Sequence, residues 1–303
     1  MNYHDSILGF SLTSVKLQLT EVSCKQNEFI VSHLDEVYFN QEIDFEIDKE
    51  TKISSLLQSA FEEINIKNEI TSNIVSFSLP QELFMTARLP IENSLLNSDL
   101  IEEFRWQLSI MYPYLNWNDY VIRYYEAEGK HFSSNDDAIV FALNRKYIKI
   151  IHDFCLKNNL KLKFVDHSHL TSYNILMMIG IEKTERLLSF YISQKILSAL
   201  VSLNGKLDYY EDIPIKSGHE IRSIITGKLD ELLKNQLNFS EAFLFGEMIS
   251  NPIAKALSEA TGINFILVNP FTQLKVETSL LTNKYYTESN HFFSSSAGVA
   301  ARI

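Results

Sequence analysis

The sequence predicts an α/β fold with two similar lobes, in each of which helices flank a mixed β-sheet. Each half of the chain begins with a β-hairpin and continues with alternating helices and strands, the order expected of such a lobe. The two hairpins start about 180 residues apart, at Ile7 and Leu187, so the order of elements repeats although the sequence does not. A chain of 303 residues is long enough for one to three domains. The competing architecture is a doubly wound domain joined to an unrelated second domain.

In the first half, short apolar or alternating runs predict strands, and apolar residues three and four positions apart predict helices. Thr13 and Ser14 separate the first two strands and are typical of a tight turn. Ser98 and Asp99 can cap a helix that stops before Pro113. The predicted strands are 7–12, 15–22, 29–31, 37–39, 74–79, 121–125, 138–143 and 162–165, and the predicted helices are 53–64, 98–111, 144–158 and 170–179.

The second half repeats this order after the strongest hairpin signal in the chain, the pair Asn204 and Gly205. Pro252 is placed to begin a helix and Gly262 to end it. The predicted strands are 187–192, 196–203, 207–215, 242–245 and 263–268, and the predicted helices are 220–237, 251–262 and a C-terminal helix at 292–301. The predicted domains are therefore an N-terminal lobe at 1–180, with a small inserted subdomain at about 80–137, and a C-terminal lobe at 181–303.

Composition excludes several classes of function. The formal net charge is −11, which disfavours nucleic-acid binding because phosphate contacts need a basic surface. Nine glycines among 303 residues are less than half the roughly 7% usual in proteins, so loops that cradle phosphates are scarce. Cys24 and Cys155 have no metal-type spacing and are expected to be reduced thiols of a cytoplasmic protein. The sequence shows neither a signal peptide nor a membrane span, so direct membrane insertion is not expected.

Several segments resemble, in the right order, the actin-like ATPase superfamily and within it the PilM family of pilus-assembly proteins. They are Leu8 to Leu17, Phe104 to Gln107 with Tyr112-Pro113, Leu160 to Asp166, Asn204 to Lys206, Asp212 to Ile215, Thr261 to Ile263, and Asn269 to Phe271. The resemblance implies a bilobed, ribonuclease H-like fold with a nucleotide held between the lobes by two phosphate-binding hairpins. Another bacterial family of the same fold fits these segments equally well.

The same resemblance predicts that the nucleotide loops have decayed. Ser11 and Tyr191 stand where the two hairpins of the family carry acidic residues, and neither replaces a carboxylate as an Mg²⁺ ligand. The turn glycine is missing near Thr13 and Ser14, and Ser193 replaces it in the second hairpin.

The remaining candidates for nucleotide binding each have a plain structural alternative. They are Thr13, Ser14, Lys16 and Gly246. The favoured alternative is that Thr13 and Ser14 form a hairpin turn, that Lys16 is a solvated strand residue and that Gly246 is a strand-to-helix turn residue. ATP with Mg²⁺ is therefore disfavoured as a cofactor, and no cofactor is expected.

The candidates for partner binding lie in an aromatic run from Tyr112 to Tyr125. Tyrosine and tryptophan are favoured at protein interfaces, which points to Trp117, Tyr120 and Tyr124. Packing inside a small subdomain is the alternative explanation of the same run.

One cluster, Asp166-His167-Ser168-His169, has the composition of a metal site, because alternate residues of a strand share a face. No third ligand follows at a useful spacing, and a cap for the next helix explains the cluster as well. No metal site is therefore predicted.

The function that the sequence predicts is a non-catalytic actin-like scaffold or adaptor. Its partner would be a protein, and the PilM resemblance implies a membrane-anchored one as an option. Two alternatives remain open, an ATP-binding ATPase with a rearranged site and a small-molecule binding module that uses the interlobe cleft.

Overall fold

The structure is a computed structural model that describes residues 6–25, 28–67, 70, 72–92, 94–127, 136–178, 186–272 and 274–302. The first seven strands are β1 (Ser6–Leu12), β2 (Lys16–Lys25), β3 (Glu28–Tyr38), β4 (Ile74–Leu79), β5 (Phe84–Pro90), β6 (Tyr120–Glu126) and β7 (Asp137–Asn144). The next seven are β8 (Lys161–His167), β9 (Arg186–Ile192), β10 (Ile196–Leu203), β11 (Lys206–Pro214), β12 (Glu241–Gly246), β13 (Asn264–Leu267) and β14 (Lys275–Val276). The helices are α1 (Glu50–Lys67), α2 (Asn97–Met111), α3 (Arg145–Lys157), α4 (Ser168–Met178), α5 (Ile221–Lys234), α6 (Asn251–Thr261), α7 (Lys284–Thr287) and α8 (Ser294–Ala300).

The chain forms two compact units. Unit 1 consists of Met1–Gln81, Lys146–Ile181 and Val268–Ile303, and unit 2 consists of Glu82–Arg145 and Glu182–Leu267. None of the helices in the described part of the chain is long and apolar enough to cross a membrane. The predicted lobe boundary at 180 lies outside the described residues.

Each unit contains a mixed sheet with the same strand order. In unit 1 the order is β14-β3-β2-β1-β4-β8, and in unit 2 it is β11-β10-β9-β12-β13. In both sheets the first three strands form an antiparallel meander, and two parallel strands follow beside the first strand of the meander. The predicted α/β class with two similar mixed sheets is confirmed.

A third sheet, with the order β5-β7-β6, forms a small subdomain together with α2. Phe104 and Leu108 of α2 are buried against this sheet beside Val140 of β7. We define the small subdomain as residues 82–145, which cluster with unit 2 rather than with the N-terminal lobe to which we assigned them.

Polar and aromatic contacts between the small subdomain and β11 explain that assignment. The guanidinium of Arg88 donates to the carbonyl of Asp208 at 3.0 Å, and the hydroxyl of Thr86 donates to Asp212 at 3.1 Å. The rings of Phe141 and Tyr210 are 4.9 Å apart. Burial raises the pKa of Asp212 to about 7, against the opposing hydrogen bonds from Tyr210 and Thr86.

The C-terminal segment also differs from the prediction, because it belongs to unit 1 and not to the second lobe. Strand β14 pairs in parallel with β3, and every residue of α8 is buried. Small side chains let α8 approach its neighbours closely. A Cβ at Gly298 would overlap the carbonyl oxygen of Thr171 in α4, and a Cβ at Gly9 in β1 would overlap the carbonyl oxygen of Ser296.

Three element predictions were wrong in detail. The runs at 29–31 and 37–39 form one strand, β3, because it pairs along its whole length with β2. Strand β5 was not predicted, although it pairs with β7 from Phe84 to Pro90. Ser98 lies inside α2, whose N-terminal flanking residue is Leu96, and no side chain caps that end.

The predicted histidine cluster lies in the core of unit 1, at the junction of β8 and α4. His167 and His169 are fully buried, and the backbone amide of His169 donates to Nδ1 of His167 at 3.1 Å. His167 therefore provides a side-chain acceptor for the first turn of α4, and Oδ1 of Asp166 accepts the amide of His167 itself at 2.8 Å. Burial lowers the pKa of His167 to about 3, and burial lowers the pKa of His169 as well, with a further contribution from His167.

We expect Gly298→Ala to destabilise the protein by about 2–3 kcal/mol, because the added methyl group has no space against the backbone of α4. The matched control is Gly227→Ala in α5, where no atom outside the helix lies within 4 Å of the new Cβ. That change should be neutral or stabilise by up to about 1 kcal/mol. Urea denaturation measures both, and equal effects would show that α8 does not pack as described.

We also expect His167 and His169 to make stability fall as the pH falls below about 6.5, the unfolded pKa of histidine. Asp212, whose folded pKa is raised to about 7, acts in the opposite direction. Because the folded pKa of His167 is depressed to about 3, the unfolded chain binds the proton first, so stability is lost as pH falls through this window. The slope is up to about 1.4 kcal/mol per pH unit for each buried neutral histidine. His167→Asn, which keeps an acceptor at the start of α4, should reduce the slope measured by urea denaturation. His152→Asn, an exposed site on α3, should not change it.

Candidate functional site

The first candidate hairpin joins β1 to β2, and its turn is closed by its own side chain. The hydroxyl oxygen of Thr13 accepts hydrogen bonds from the amides of Val15 at 3.3 Å and Lys16 at 3.1 Å. The amide of Thr13 donates to the carbonyl of Lys16 at 3.0 Å. Thr13, Ser14 and Lys16 are all buried.

The loop after β3 contacts the same turn through its backbone. The amide of Ile43 donates to the carbonyl of Ser14 at 2.7 Å, and the amide of Phe39 donates to the carbonyl of Val15 at 2.8 Å. The sequence candidates Thr13, Ser14 and Lys16 are therefore brought together, in a turn where the amides of Thr13, Val15 and Lys16 already have partners.

The hairpin between β9 and β10 has the same construction. The amide of Ser193 donates to the carbonyl of Ile196 at 2.9 Å, and the amide of Ile196 donates back to the hydroxyl of Ser193 at 3.1 Å. The last ladder pair before the turn is Leu12 with Leu17 in the first hairpin and Ile192 with Leu197 in the second.

This shared register makes Thr13 equivalent to Ser193 and Ser11 equivalent to Tyr191. Ser11 and Tyr191 are both buried within their sheets, and neither can supply a negative charge at neutral pH. Phosphate-binding loops offer free backbone amides to the anion. Here a threonine or serine hydroxyl accepts the amides that close each turn.

Lys16, the third candidate, is not solvated, so the alternative explanation that it is an exposed strand residue does not hold. Its ammonium group is buried and lies 2.9 Å from a carboxylate oxygen of Glu36, which also accepts from Gln18 at 3.0 Å. The same ammonium lies 5.3 Å from the ring centre of Tyr38 and 5.1 Å from that of Phe292. Its charge is thus neutralised and enclosed inside unit 1.

Asp166, near the end of β8, closes the segment from Leu160 that resembles the actin-like family, and it is paired with Arg302. The guanidinium of Arg302 contacts the carboxylate of Asp166, which is 7% exposed, and stacks over Phe164 at 4.9 Å. This ion pair was not foreseen, and no local pattern could have revealed it because its members are 136 positions apart.

Gly246, the fourth candidate, ends β12 in unit 2 with a φ of 105°. A Cβ there would overlap the backbone of Ile192, and the amides of Glu247 and Met248 both donate to the carbonyl of Ile192, at 3.0 and 3.2 Å. Close backbone approach at a strand end therefore explains this glycine.

No metal site is found within the described ranges, since no group of three or more His, Cys, Asp or Glu side chains is placed to hold an ion. The Nδ1 atom of His167 accepts the amide of His169, so this nitrogen is already engaged in a hydrogen bond.

The aromatic run belongs to the core of the small subdomain, which corrects the prediction for Trp117. Trp117 is only 4% exposed, and its indole nitrogen donates to the carbonyl of Tyr112 at 3.3 Å. Tyr120 and Tyr124 are half-buried, and the ring of Tyr124 packs against Phe104 at 5.1 Å. Packing, the alternative that the sequence left open, accounts for these three residues.

The exposed aromatic surface of the subdomain lies instead on the outer side of α2. Trp106 and Ile110 are exposed there, and Met111 and Tyr114 are exposed at the carboxyl end of the helix. We call these four residues the α2 surface. The signal was available in the sequence, since Trp106 and Ile110 are four positions apart and fall outside the apolar row of Phe104 and Leu108.

Comparison with known proteins supports the fold but no activity. The chain matches no protein-family model and no curated protein. It is similar to a structure described as a PilM-PilN type IV pilus biogenesis complex, with 15% identity and a TM-score of 0.73 over 98% of both chains.

Two further structures are similar over most of their length. One is a Bacteroides thetaiotaomicron protein with an actin-like ATPase fold and unknown function, with 12% identity and a TM-score of 0.53, covering 89% of this chain and 94% of that one. The other is the cytoplasmic domain of EpsL, an inner-membrane component of the type II secretion system of Vibrio cholerae, with 11% identity and a TM-score of 0.51 over 90% and 89%. Together with the duplicated strand order, these similarities show that the chain has the actin-like ATPase fold.

Proposed function

We propose that this chain is an actin-like adaptor that binds a protein partner and does not hydrolyse ATP. The observation that carries the proposal is the closure of both hairpin turns by Thr13 and Ser193. In each turn the hydroxyl accepts an amide that a phosphate would otherwise need.

The electrostatics of the candidate site support the same proposal. Phosphoryl transfer depends on charge neutralisation and on acidic residues that hold Mg²⁺. Ser11 and Tyr191 occupy the hairpin positions where the resemblance expects carboxylates, and Asp166 is already neutralised by Arg302. Lys16, the basic residue next to the first hairpin turn, is neutralised by Glu36.

Support for a protein partner comes from the similar structures. One of them is a complex between two pilus-biogenesis proteins, and another is the cytoplasmic domain of an inner-membrane component. We extend the proposal to a partner anchored in a membrane and to a cytoplasmic location for this chain. Cys24 and Cys155 are both free thiols, which fits a reducing compartment.

We expect millimolar Mg-ATP to leave the melting temperature unchanged and to be hydrolysed no faster than in buffer. A ligand present at 100 times its Kd would stabilise the native state by about 2.7 kcal/mol, equivalent to a shift of roughly 4 °C in a chain of this size. Thermal unfolding with and without Mg-ATP, followed by a phosphate-release assay, tests this. A reproducible shift would contradict the proposal and favour an ATP-regulated protein.

We expect Lys16→Met to destabilise the protein by about 3 kcal/mol, because it leaves the mostly buried carboxylate of Glu36 without its positive partner. The double variant Lys16→Met/Glu36→Gln should recover most of that loss. Lys275→Met is the matched control, since its pair with Glu28 is exposed and should contribute less than about 1 kcal/mol.

The single variant Glu36→Gln completes the double-mutant cycle. Urea denaturation of the wild type, the two single variants and the double variant then gives the coupling between Lys16 and Glu36. If Lys16→Met is as harmless as Lys275→Met, the ion pair has no structural role and a phosphate-binding role for Lys16 regains support.

A further inference from the structure

The α2 surface concentrates large apolar side chains in water. Trp106 is 59% exposed, Ile110 60%, Met111 50% and Tyr114 77%, all within nine positions of the chain. Single exposed apolar residues are normal on protein surfaces, but a cluster that includes tryptophan and tyrosine is typical of an interaction site.

The helix that carries this surface is held firmly from its other side. Leu100, Phe104 and Leu108 are buried in the core of the small subdomain. Trp106 and Ile110 are one helical turn apart and therefore neighbours on the outer side. The apolar row is thus displayed on a rigid element, which lowers the entropy that a partner must overcome on binding.

The charges that α2 exposes beside this row are negative. Asp99 and Glu102 are exposed, and Glu103 is half-buried. The only basic residue of the helix, Arg105, is turned inward. Its guanidinium pairs with Glu102 and donates to the backbone carbonyl oxygens of Trp117 and Tyr120.

We infer that the α2 surface binds an amphipathic helix of a partner protein, one that carries lysine or arginine beside its apolar row. Helices bind in this manner through residues at i, i+3, i+4 and i+7, and complementary charge sets their orientation and rate of association. This inference rests on the proposed adaptor function and names the chemistry of its partner.

The negative charge beside the α2 surface also disfavours two other binding partners, a second copy of the chain and a membrane. A second copy of the chain would offer the same acidic residues and no freely exposed basic residue on its own α2, so it lacks the complementary charge. An anionic membrane surface would repel the same carboxylates, since such surfaces attract basic segments.

The experiment uses the full-length chain and a fluorescein-labelled synthetic helix with leucine at i, i+3, i+4 and i+7 and lysine elsewhere. Fluorescence anisotropy should show saturable binding, and a peptide of the same composition in scrambled order should bind about tenfold more weakly. Bound peptide should also protect Trp106 from quenching by acrylamide, while buried Trp117 is little quenched in either state.

Ile110→Glu should weaken binding at least tenfold, a change of about 1.4 kcal/mol. The matched control is Ile66→Glu at the end of α1, because Ile66 is an equally large side chain, 85% exposed, in the other unit. Both sites are exposed, so both variants should fold, which circular dichroism and thermal unfolding verify.

Three results would overturn the inference. Equal binding by the ordered and scrambled peptides would mean attraction to net charge alone, and equal effects of Ile110→Glu and Ile66→Glu would place binding elsewhere. Self-association of the wild type that Ile110→Glu abolishes, measured by sedimentation velocity, would identify a second copy as the occupant. None of these results bears on the proposed absence of ATP hydrolysis, which the Mg-ATP experiment tests separately.

Discussion

Unit 1 depends on the close approach of α8 to α4 and β1. A helix of seven residues is too short to be stable alone, so its packing must hold it in place. Glycine at positions 298 and 9 lets backbone meet backbone. The serines of α8 then form buried hydrogen bonds, between Ser295 and Ser172 at 2.8 Å and between Ser296 and Thr20 at 2.7 Å. These bonds satisfy hydroxyl groups that would otherwise be costly to bury.

The hairpins show how a fold can keep its geometry while the chemistry at the site changes. The two turns have equivalent registers in the two sheets, as an actin-like fold requires. What differs from a phosphate-binding loop is where the polar groups point, since hydroxyls of Thr13 and Ser193 bond within the turn. The fold therefore carries no information about hydrolysis, and the function has to be argued from these side chains.

The parts of the fold that local sequence controls were predictable. Asn204 and Gly205 both have positive φ, as their turn demands, and Gly262 ends α6 in the left-handed conformation. Periodicity located nearly all of the longer helices and strands because it reports which side of an element is buried. It missed β5, in which burial does not alternate.

Features that depend on distant partners could not be read from the sequence. The residue type of Trp117 suggested an interface, yet its side chain points into the core of the small subdomain and is buried. The side chain of Trp106 is the one that is exposed. Lys16 finds its partner on β3, and Asp166 finds its partner near the end of the described chain. The same is true of the C-terminal segment, whose membership in unit 1 follows from contacts with strands made far earlier. Strand β14 pairs with β3, and α8 packs on β1 and α4. During synthesis on the ribosome, the sheet of unit 1 therefore starts to form before that of unit 2 but is completed after it. All of unit 2 lies between β3 and β14 in the chain, so unit 2 can fold before unit 1 is complete. During that time β3 is an unpaired strand edge, and this is the state in which a chaperone would be most useful.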